Sequence, residues 1–339
     1  MKSYHLTTPQ QNIWNLQKYY KDTAIANLCG AIFYNEKRNS ILLQQAICQF
    51  IQKQSGMRLR FREAGEPEQY VSDETDKAIP VMTFASMKEF DHYAEKFAKE
   101  PIGLIERQMY HFAVIEVGNK SGILVTLSHL ISDAWTFGLM ANQIDVAYHK
   151  LAEEVDRALV EGNYIDYMQS EDAYLVSDRY EKDKSYWEEK YAVRPEKSPI
   201  KLCTVPTDDI TAKRITRILP FHLEEKISVY CKAYPVTQAV LFEAALVVYL
   251  SKINPENQTV TIGVPVLNRS NSREKNIAGM FVSTMPLTVT LTEPMTISEL
   301  AKQITKGHMD MFRHQKYAYA NILKSLRKNR ISPEIYTMS

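Results

Sequence analysis

Glycine and cysteine are both scarce in this chain of 339 residues, which has 11 glycines and 4 cysteines. So little glycine argues against a glycine-rich nucleotide-binding protein. The cysteines (Cys29, Cys48, Cys203 and Cys231) are widely separated, with no Cys-x-x-Cys pair and no histidine cluster at ligand spacing. Neither a zinc site nor a disulfide framework is therefore indicated, and we predict reduced, mostly buried thiols and no metal.

An excess of charge of one sign is also missing, because the formal net charge is +1. The chain as a whole therefore does not attract nucleic acid or an anionic membrane, and its partners must be recognised locally. No long hydrophobic run is present: the N-terminus lacks an apolar signal core, and the most apolar stretch, 236–250, is interrupted by Gln238 and Glu243. That stretch is too short to span a bilayer. We predict a cytoplasmic protein with no nucleic-acid partner and no membrane span.

What is present is an ordinary globular composition, with 45% hydrophobic and 24% charged residues. The length favours two domains over one. Residues 152–200 are charged and rich in tyrosine, which is typical of exposed helices that connect two lobes. We place an N-terminal lobe at 1–175 and a C-terminal lobe at 176–339.

The first half predicts a helix packed on a sheet. Apolar residues recur at helical spacing over 40–54, and the strand-like run 57–61 follows. Residues 109–117 and 122–128 are rich in β-branched and apolar side chains and predict an antiparallel hairpin. A further helix is expected from Thr136, whose hydroxyl can cap it.

The second half of the chain also combines predicted strands and predicted helices. It predicts a strand over 214–220, helices on either side of Pro235, and strands over 259–264 and 288–291. Because strands and helices do not alternate regularly, the fold class is mixed α/β or α+β.

His129 and Asp133 form a His-x-x-x-Asp motif at the junction between the predicted hairpin and the next helix. Such a short motif is weak evidence on its own, and a buried structural histidine is the alternative. Ser128 is a poor candidate for a nucleophile activated by His129, because adjacent residues on a strand point to opposite faces and the two side chains would not meet. Trp135 is more typical of a packing residue than of a substrate contact.

Five stretches, read in order, resemble the condensation domain of nonribosomal peptide synthetases, a branch of the chloramphenicol-acetyltransferase-like superfamily. They are 6–14 (LTTPQQNIW, similar to "LSpaQ…lW"), 57–61 (MRLRF, "LRTxF"), 128–135 (SHLISDAW, "HHxxxDGw"), 262–269 (IGVPVLNR, "vGtPvanR") and 279–287 (GMFVSTMPL, "GmFVNTLPLR"). Tyr186 and Trp187 also match the family's "YW" between the lobes. The resemblance covers nearly the whole chain.

The resemblance implies two chloramphenicol-acetyltransferase-like lobes in a V with a channel between them. It implies an acyltransferase that joins an acyl or peptidyl thioester to an amine, with His129 as general base or positioning group. Asp133 is expected to face away from the channel and pair with Arg58, with Arg60 as the rival partner. A buried carboxylate needs such a partner.

The resemblance places six further residues along the substrate channel, although a capping or loop role is equally open for the last four. They are Ser128, Trp135, Asn268, Arg269, Ser283 and Thr284. No cofactor is expected to be bound, because substrates would arrive on the phosphopantetheine of carrier protein domains or as acyl-CoA. No phosphate loop, adenylate-forming signature or "LGGxS" carrier sequence occurs, so the chain neither activates nor carries an amino acid.

Two departures from the family pattern leave alternatives open. Ser128 stands where the family has its first histidine, and Ala134 stands where it has glycine. The chain is also shorter than family members, which implies an incomplete C-terminal lobe. A stand-alone acyltransferase acting on an alcohol or amine is the second reading, and a catalytically silent domain that docks carrier proteins is the third.

Overall fold

The computed structural model describes residues 2–74, 78–153, 158–200 and 215–328. The chain divides into two compact units. The first comprises Met1–Val176 and Arg269–Val282, and the second comprises Ser177–Asn268 and Ser283–Ser339. The first transition lies next to residue 175, but a single boundary there misses the return of Arg269–Val282 to the first unit. The return depends on buried contacts of Arg269–Val282 with residues far away in the chain, and no local sequence pattern predicts such contacts.

A four-stranded sheet organises the first unit. Its strands are β2 (Asn27–Phe33), β5 (Val81–Phe84), β6 (Tyr110–Val117) and β7 (Lys120–Ser128), in the order β2-β7-β6-β5. Strands β6 and β7 form the predicted hairpin, whose turn contains Gly118 at a φ of 58°. Glycine adopts this left-handed conformation without steric cost. The hairpin places the end of β7 in the interior of the sheet, between β2 and β6.

A smaller sheet in the same unit contains β1 (Tyr4–His5), β3 (Leu59–Ala64) and β4 (Glu66–Val71), in the order β1-β4-β3. The strand predicted over 57–61 begins only at Leu59, because a 3-10 turn occupies Ser55–Arg58. Buried Ser55 and neighbouring residues of this turn bind other parts of the unit, so local β propensity does not decide their conformation.

The described helices of the first unit are α1 (Thr8–Tyr19), α2 (Ser40–Lys53), α3 (Met87–Lys99), α4 (Ala134–Glu153) and α5 (Tyr164–Leu175). Two of them, α2 and α3, pack on opposite faces of the larger sheet. On one face, alternate β7 residues such as Val125 and Leu127 join the main core with Ile47 of α2. On the other face, Leu124 packs with Phe90 of α3. Both faces of β7 are therefore buried, which explains its nearly continuous apolar sequence.

The second unit contains a two-stranded antiparallel sheet and five described helices. The elements are α6 (Asp178–Lys190), α7 (Phe221–Ala233), α8 (Gln238–Ile253), β8 (Thr259–Val266), β9 (Ser283–Thr290), α9 (Ile297–Arg313) and α10 (Tyr319–Lys328). Residues 215–220 form no strand, contrary to the prediction over 214–220, and residue 214 lies outside the described residues. The mixed α/β class is confirmed.

The described cysteines are more accessible than predicted. Cys29 is exposed, and Cys48 and Cys231 are partly exposed. Cys203 lies outside the described residues. Burial of the Cys29 and Cys48 sulfur atoms is nevertheless sufficient to raise the pKa of each thiol.

No single helix in the described part of the chain is long and apolar enough to cross a bilayer. Among the described helices, α7 and α8 pass that test of length and composition as a pair, and the pair is bent by 106°.

Candidate active site

His129 follows directly on the last residue of β7, and its main chain continues the pairing of the sheet. Its amide donates to the carbonyl of Ala26, at 2.7 Å. The amide of Ser128 donates in the opposite direction, to the carbonyl of Met109 at 2.8 Å. The main chain is thus held from both sides at the point where the imidazole leaves the sheet.

The imidazole of His129 is partly exposed and makes one short contact, from Nδ1 to the carbonyl oxygen of Ser132 at 2.7 Å. A carbonyl oxygen only accepts hydrogen bonds, so Nδ1 must carry the proton and donate it. In the neutral ring, Nε2 is then the unprotonated nitrogen with a lone pair. This tautomer is the one needed to accept a proton, or a hydrogen bond, from an incoming nucleophile.

Two serine hydroxyls hold the short loop whose Ser132 carbonyl orients His129. The hydroxyl of Ser132 donates to the carbonyl of Ser128 at 2.9 Å, and the hydroxyl of Ser128 accepts from the amide of Leu130 at 3.3 Å. The side chains of both serines are buried. Ser128 therefore holds the loop, and its burial argues against the predicted place along a substrate channel.

Asp133 is completely buried, and both of its carboxylate oxygens bind Arg269. Arg269 Nη1 lies 2.6 Å from Oδ2, and Nη2 lies 3.1 Å from Oδ1. Oδ1 also accepts from the amide and hydroxyl of Thr136, and Oδ2 accepts from the amide of Phe281. The carboxylate is thus saturated with donors and is not available to a substrate.

The predicted pairing of Asp133 with Arg58 is wrong, and the rival Arg60 is wrong as well. Arg58 donates to the carbonyl of Ser72 and approaches Asp73 at 3.5 Å. Arg60 donates to main-chain carbonyls of residues 59 and 74. Arg58 ends the 3-10 turn and Arg60 lies in β3, and both side chains donate to carbonyls of the segment that follows β4. Arg269, which is expected along the channel, is instead the completely buried partner of Asp133. No local pattern in the motif stretch 262–269 marks it as that partner.

Arg269 is enclosed on all sides. Its Nη2 also approaches the carbonyls of Ile277 and Gly279, and its guanidinium lies 4.0 Å from the centre of the Phe281 ring. An aromatic face stabilises a buried cation, and additional hydrogen bonds offset the cost of removing both charges from water. The ion pair therefore fastens the loop after His129 to the returning segment Arg269–Val282.

Other buried contacts fix the same segment. Gln54 accepts from the amide of Ala278 at 2.8 Å, and the hydroxyl of Tyr164 donates to the carbonyl of Met280 at 2.7 Å. Gly56 lies so close that a Cβ atom added there would be 2.0 Å from the carbonyl oxygen of Ala278. These contacts explain why the segment belongs to the first unit.

Helix α4 begins at Ala134, with Asp133 as the capping side chain. The predicted cap, Thr136, lies in the first turn, where its amide donates to Asp133 and its hydroxyl donates to Asp133 and the Gly279 carbonyl. Trp135 is about one third exposed, at 36%, and its indole N–H donates to the carbonyl of Lys275 at 2.8 Å. It therefore contacts the returning segment. Its predicted place along the channel stays a prediction.

The remaining predicted lining residues belong to the second unit. Asn268 follows β8 with a φ of 53° and a buried side chain, a conformation that asparagine tolerates better than most residues. Ser283 and Thr284 begin β9 and pair with Val266 and Pro265 of β8. Their contact with a substrate stays a prediction.

Among the described residues, no group of three or more histidine, cysteine, aspartate and glutamate side chains is arranged to hold a metal ion. Within this site, the imidazole of His129 is the group that can accept a proton or a hydrogen bond, and the polar groups around it hold its orientation.

The fold has close counterparts among solved structures. The first condensation domain of the CDA synthetase superposes with a TM-score of 0.83 at 17% identity, covering 99% of this chain and 81% of that one. The starter condensation domain of rhizomide synthetase, as a variant in complex with C8-CoA, gives 0.85 at 21% identity, covering 96% and 75%. The architecture is thus that of condensation domains, which have the chloramphenicol-acetyltransferase-like fold.

Sequence comparison leads to the same family. The condensation domain model matches residues 1–336. Surfactin synthase subunit 1 of Bacillus subtilis (strain 168) is 31% identical over 99% of this chain, and the dimodular nonribosomal peptide synthase of the same organism is 23% identical over 96%. The chain spans 10% of the first synthetase and 14% of the second. The chain belongs to the condensation domain family, as its sequence motifs predict.

Proposed function

We propose that this chain is the condensation domain of a nonribosomal peptide synthetase and forms amide bonds. It transfers an acyl or peptidyl group from a thioester to an amine. The observation that carries this proposal is the fixed tautomer of His129, whose Nδ1–H is held by Ser132 so that Nε2 presents its lone pair.

The reaction joins the amine nitrogen to the thioester carbonyl carbon and breaks the carbon–sulfur bond. The amine loses one proton, and the departing thiolate gains one, so no further reactant is needed. His129 Nε2 either takes the amine proton and returns it to the sulfur, or accepts a hydrogen bond that orients the amine. Both roles require the same tautomer.

Asp133 and Arg269 act in this proposal as positioning residues. Their ion pair is buried and the Asp133 carboxylate is saturated with donors, so they contribute by keeping the turn between Ser132 and α4 in place. A displaced Ser132 carbonyl would release the imidazole, and small errors in the position of a catalytic group reduce rates strongly.

The substrates are proposed to arrive on external carriers. The relatives are much longer synthetases, and a structural counterpart binds C8-CoA. We infer that the donor is carried on the phosphopantetheine of a carrier protein domain or on CoA, with no resident cofactor. We also propose that Trp135, Asn268, Ser283 and Thr284 contact the substrates. We propose in addition that the protein acts in the cytoplasm.

Turnover with defined thioesters tests this function. The full chain is incubated with acyl-CoA donors, or with acyl groups loaded on a carrier protein, and with amine or alcohol acceptors, and products are measured by mass spectrometry. An amide is expected, and His129→Ala should reduce its rate about 10²- to 10⁴-fold. The matched control is His92→Ala, because His92 is exposed on α3 of the same unit.

The other outcomes distinguish the alternative functions. An ester formed in preference to an amide would support the stand-alone acyltransferase. Carrier binding that survives His129→Ala, with no turnover by the unaltered chain, would support the silent docking domain. Equal rates for His129→Ala and the unaltered chain would remove His129 from the mechanism.

A further inference from the structure

A pocket in the second unit lies where the chain leaving α6 passes the beginning of β8. It has a volume of about 310 Å³, and Lys190, Arg194, Glu196, Thr259 and Thr288 contribute to its lining. None of these residues belongs to the motifs that identify the family. Thr259 and Val266 are opposite ends of β8, about 23 Å apart at 3.3 Å per residue, so the pocket is separate from the Asn268 end of the strand.

The floor of the pocket is the polar face of the two-stranded sheet. Thr261 and Thr288 are cross-strand partners whose hydroxyls lie 2.8 Å apart, and the hydroxyl of Tyr191 is 3.2 Å from that of Thr288. Alternate residues such as Val260 face the core on the other side. The pocket thus has a fixed hydroxyl-rich floor.

Arg194 carries the observation that points to a ligand. Its Nε and Nη2 atoms are both buried, and neither has a hydrogen-bond partner among the described residues. Buried donors without an acceptor are costly and uncommon in folded proteins. Nε–H and one N–H of Nη2 lie along the same edge of the planar guanidinium, and this edge matches the two oxygens of a carboxylate or phosphate.

The charges around the pocket also favour an anion. Lys190 is a second cation; its ammonium donates to the Tyr186 hydroxyl at 3.1 Å, and burial lowers its pKa although Asp310 opposes this shift. Neither Lys190 nor Arg194 forms an ion pair within the described part of the chain. Asp310 itself pairs with Arg313 at 3.3 Å. The Lys190 ammonium also lies over the Tyr186 and Trp187 rings, so Arg194 is the cation of the lining that retains buried donors for a negatively charged group.

Glu196 is the acidic residue in the lining, and its Oε2 is already occupied. That atom accepts from the amides of Gln258 and Thr259 at 2.8 and 2.9 Å, and from the Thr259 hydroxyl at 3.2 Å. The carboxylate thus fastens the beginning of β8. With Lys190 and Arg194 as cations and Glu196 as the anion, the lining of the pocket has a positive net formal charge.

We propose that this pocket binds an organic oxyanion, either a carboxylate or a phosphate ester, on the Nε–Nη2 edge of Arg194. The cavity is larger than an inorganic anion requires, and Val193 and Pro195 supply an apolar wall for the rest of the ligand. Lys190 adds charge, and the threonine hydroxyls are additional hydrogen-bonding groups. This binding site is independent of His129 chemistry.

Calorimetric titration of the full chain at constant ionic strength tests the site. The probes are phenyl phosphate and benzoate, with benzyl alcohol as the neutral probe of similar size. Saturable binding of at least one anion is expected, and the preferred probe tells phosphate from carboxylate. Arg194→Met should weaken that binding about tenfold or more, since it removes a bidentate charge-assisted contact. Arg217→Met, which alters an exposed arginine of the same unit, should not change it.

Three results would overturn the proposal: no saturable binding of either anion, binding unchanged by Arg194→Met, or benzyl alcohol binding as tightly as the anions. Circular dichroism and thermal melting verify that each variant is folded. If Arg194→Met does not fold, Glu196→Gln replaces it as the decisive variant. Gln keeps an acceptor for the β8 amides and removes the competing charge, so binding should tighten about threefold or more. Unchanged affinity would count against the site.

Discussion

Arg269 Nη1 lies 2.6 Å from Asp133 Oδ2, and both side chains are completely buried. This contact joins residues 136 positions apart and fixes the turn that carries the Ser132 carbonyl to His129. The motif aspartate therefore supports the motif histidine through an arginine from a distant part of the sequence.

Removing either partner of this pair should destabilise the first unit strongly. Asp133→Ala or Arg269→Met leaves one charge buried without its counterion, which typically costs about 3–5 kcal/mol. Urea unfolding measures the change in the free energy of unfolding. Glu181→Gln is the control, because Glu181 pairs with Lys184 at 3.1 Å on the surface and should cost less than about 1 kcal/mol. If Asp133→Ala and Arg269→Met lower the free energy of unfolding no more than Glu181→Gln does, the buried ion pair does not stabilise the first unit.

Loss of the Ser132 hydroxyl should affect turnover more than stability. Ser132→Ala removes the bond to the Ser128 carbonyl and loosens the acceptor of His129 Nδ1–H, so we expect about a tenfold lower kcat with little change in KM. Ser132→Thr keeps the hydroxyl and should recover part of the rate. Steady-state kinetics with the amide-forming assay measures both. Ser185→Ala removes a similar bond, to the carbonyl four residues earlier on α6, and should leave kcat unchanged.

Two glycines of the first unit should respond oppositely to alanine. Gly56→Ala places a Cβ atom 2.0 Å from the Ala278 carbonyl oxygen, so the returning segment must shift, at a cost of about 1–3 kcal/mol. Gly138 lies within α4, and a Cβ atom there meets nothing within 4 Å. Gly138→Ala should therefore stabilise by about 0.5–1 kcal/mol. Thermal or urea unfolding gives the sign, and stabilisation by Gly56→Ala would refute the close approach.

Alkaline pH should destabilise the second unit through its tyrosines. Burial raises the pKa of Tyr186 and of Tyr317 from the usual value near 10 to about 12. The unfolded chain ionises first, so this contribution to stability is complete below pH 10 and is lost as the pH rises to about 12. Unfolding followed from pH 9 to pH 12 should show the loss, and Tyr186→Phe should reduce it. Tyr19→Phe, at a residue that is 76% exposed, should not.

Local patterns predicted most of the first unit's framework. The helical spacing over 40–54 corresponds to α2, and the apolar runs around Gly118 correspond to the hairpin of β6 and β7. In each of these elements the apolar residues of the repeating pattern form the buried face, so the local sequence is sufficient to predict the element. The 3-10 turn at Ser55–Arg58 was missed because its conformation depends on contacts with residues distant in the chain.

The sequence by itself determined the family and the position of the histidine at the end of a buried strand. Five ordered motifs and a strand-to-helix junction are properties of neighbouring residues, and neighbouring residues can be read directly. Only the tertiary structure decided which arginine serves Asp133, which nitrogen of His129 carries the proton, and that Arg269–Val282 returns to the first unit. The physical reason is that buried hydrogen bonds and ion pairs are satisfied by whichever partners the fold brings together, irrespective of their separation along the chain.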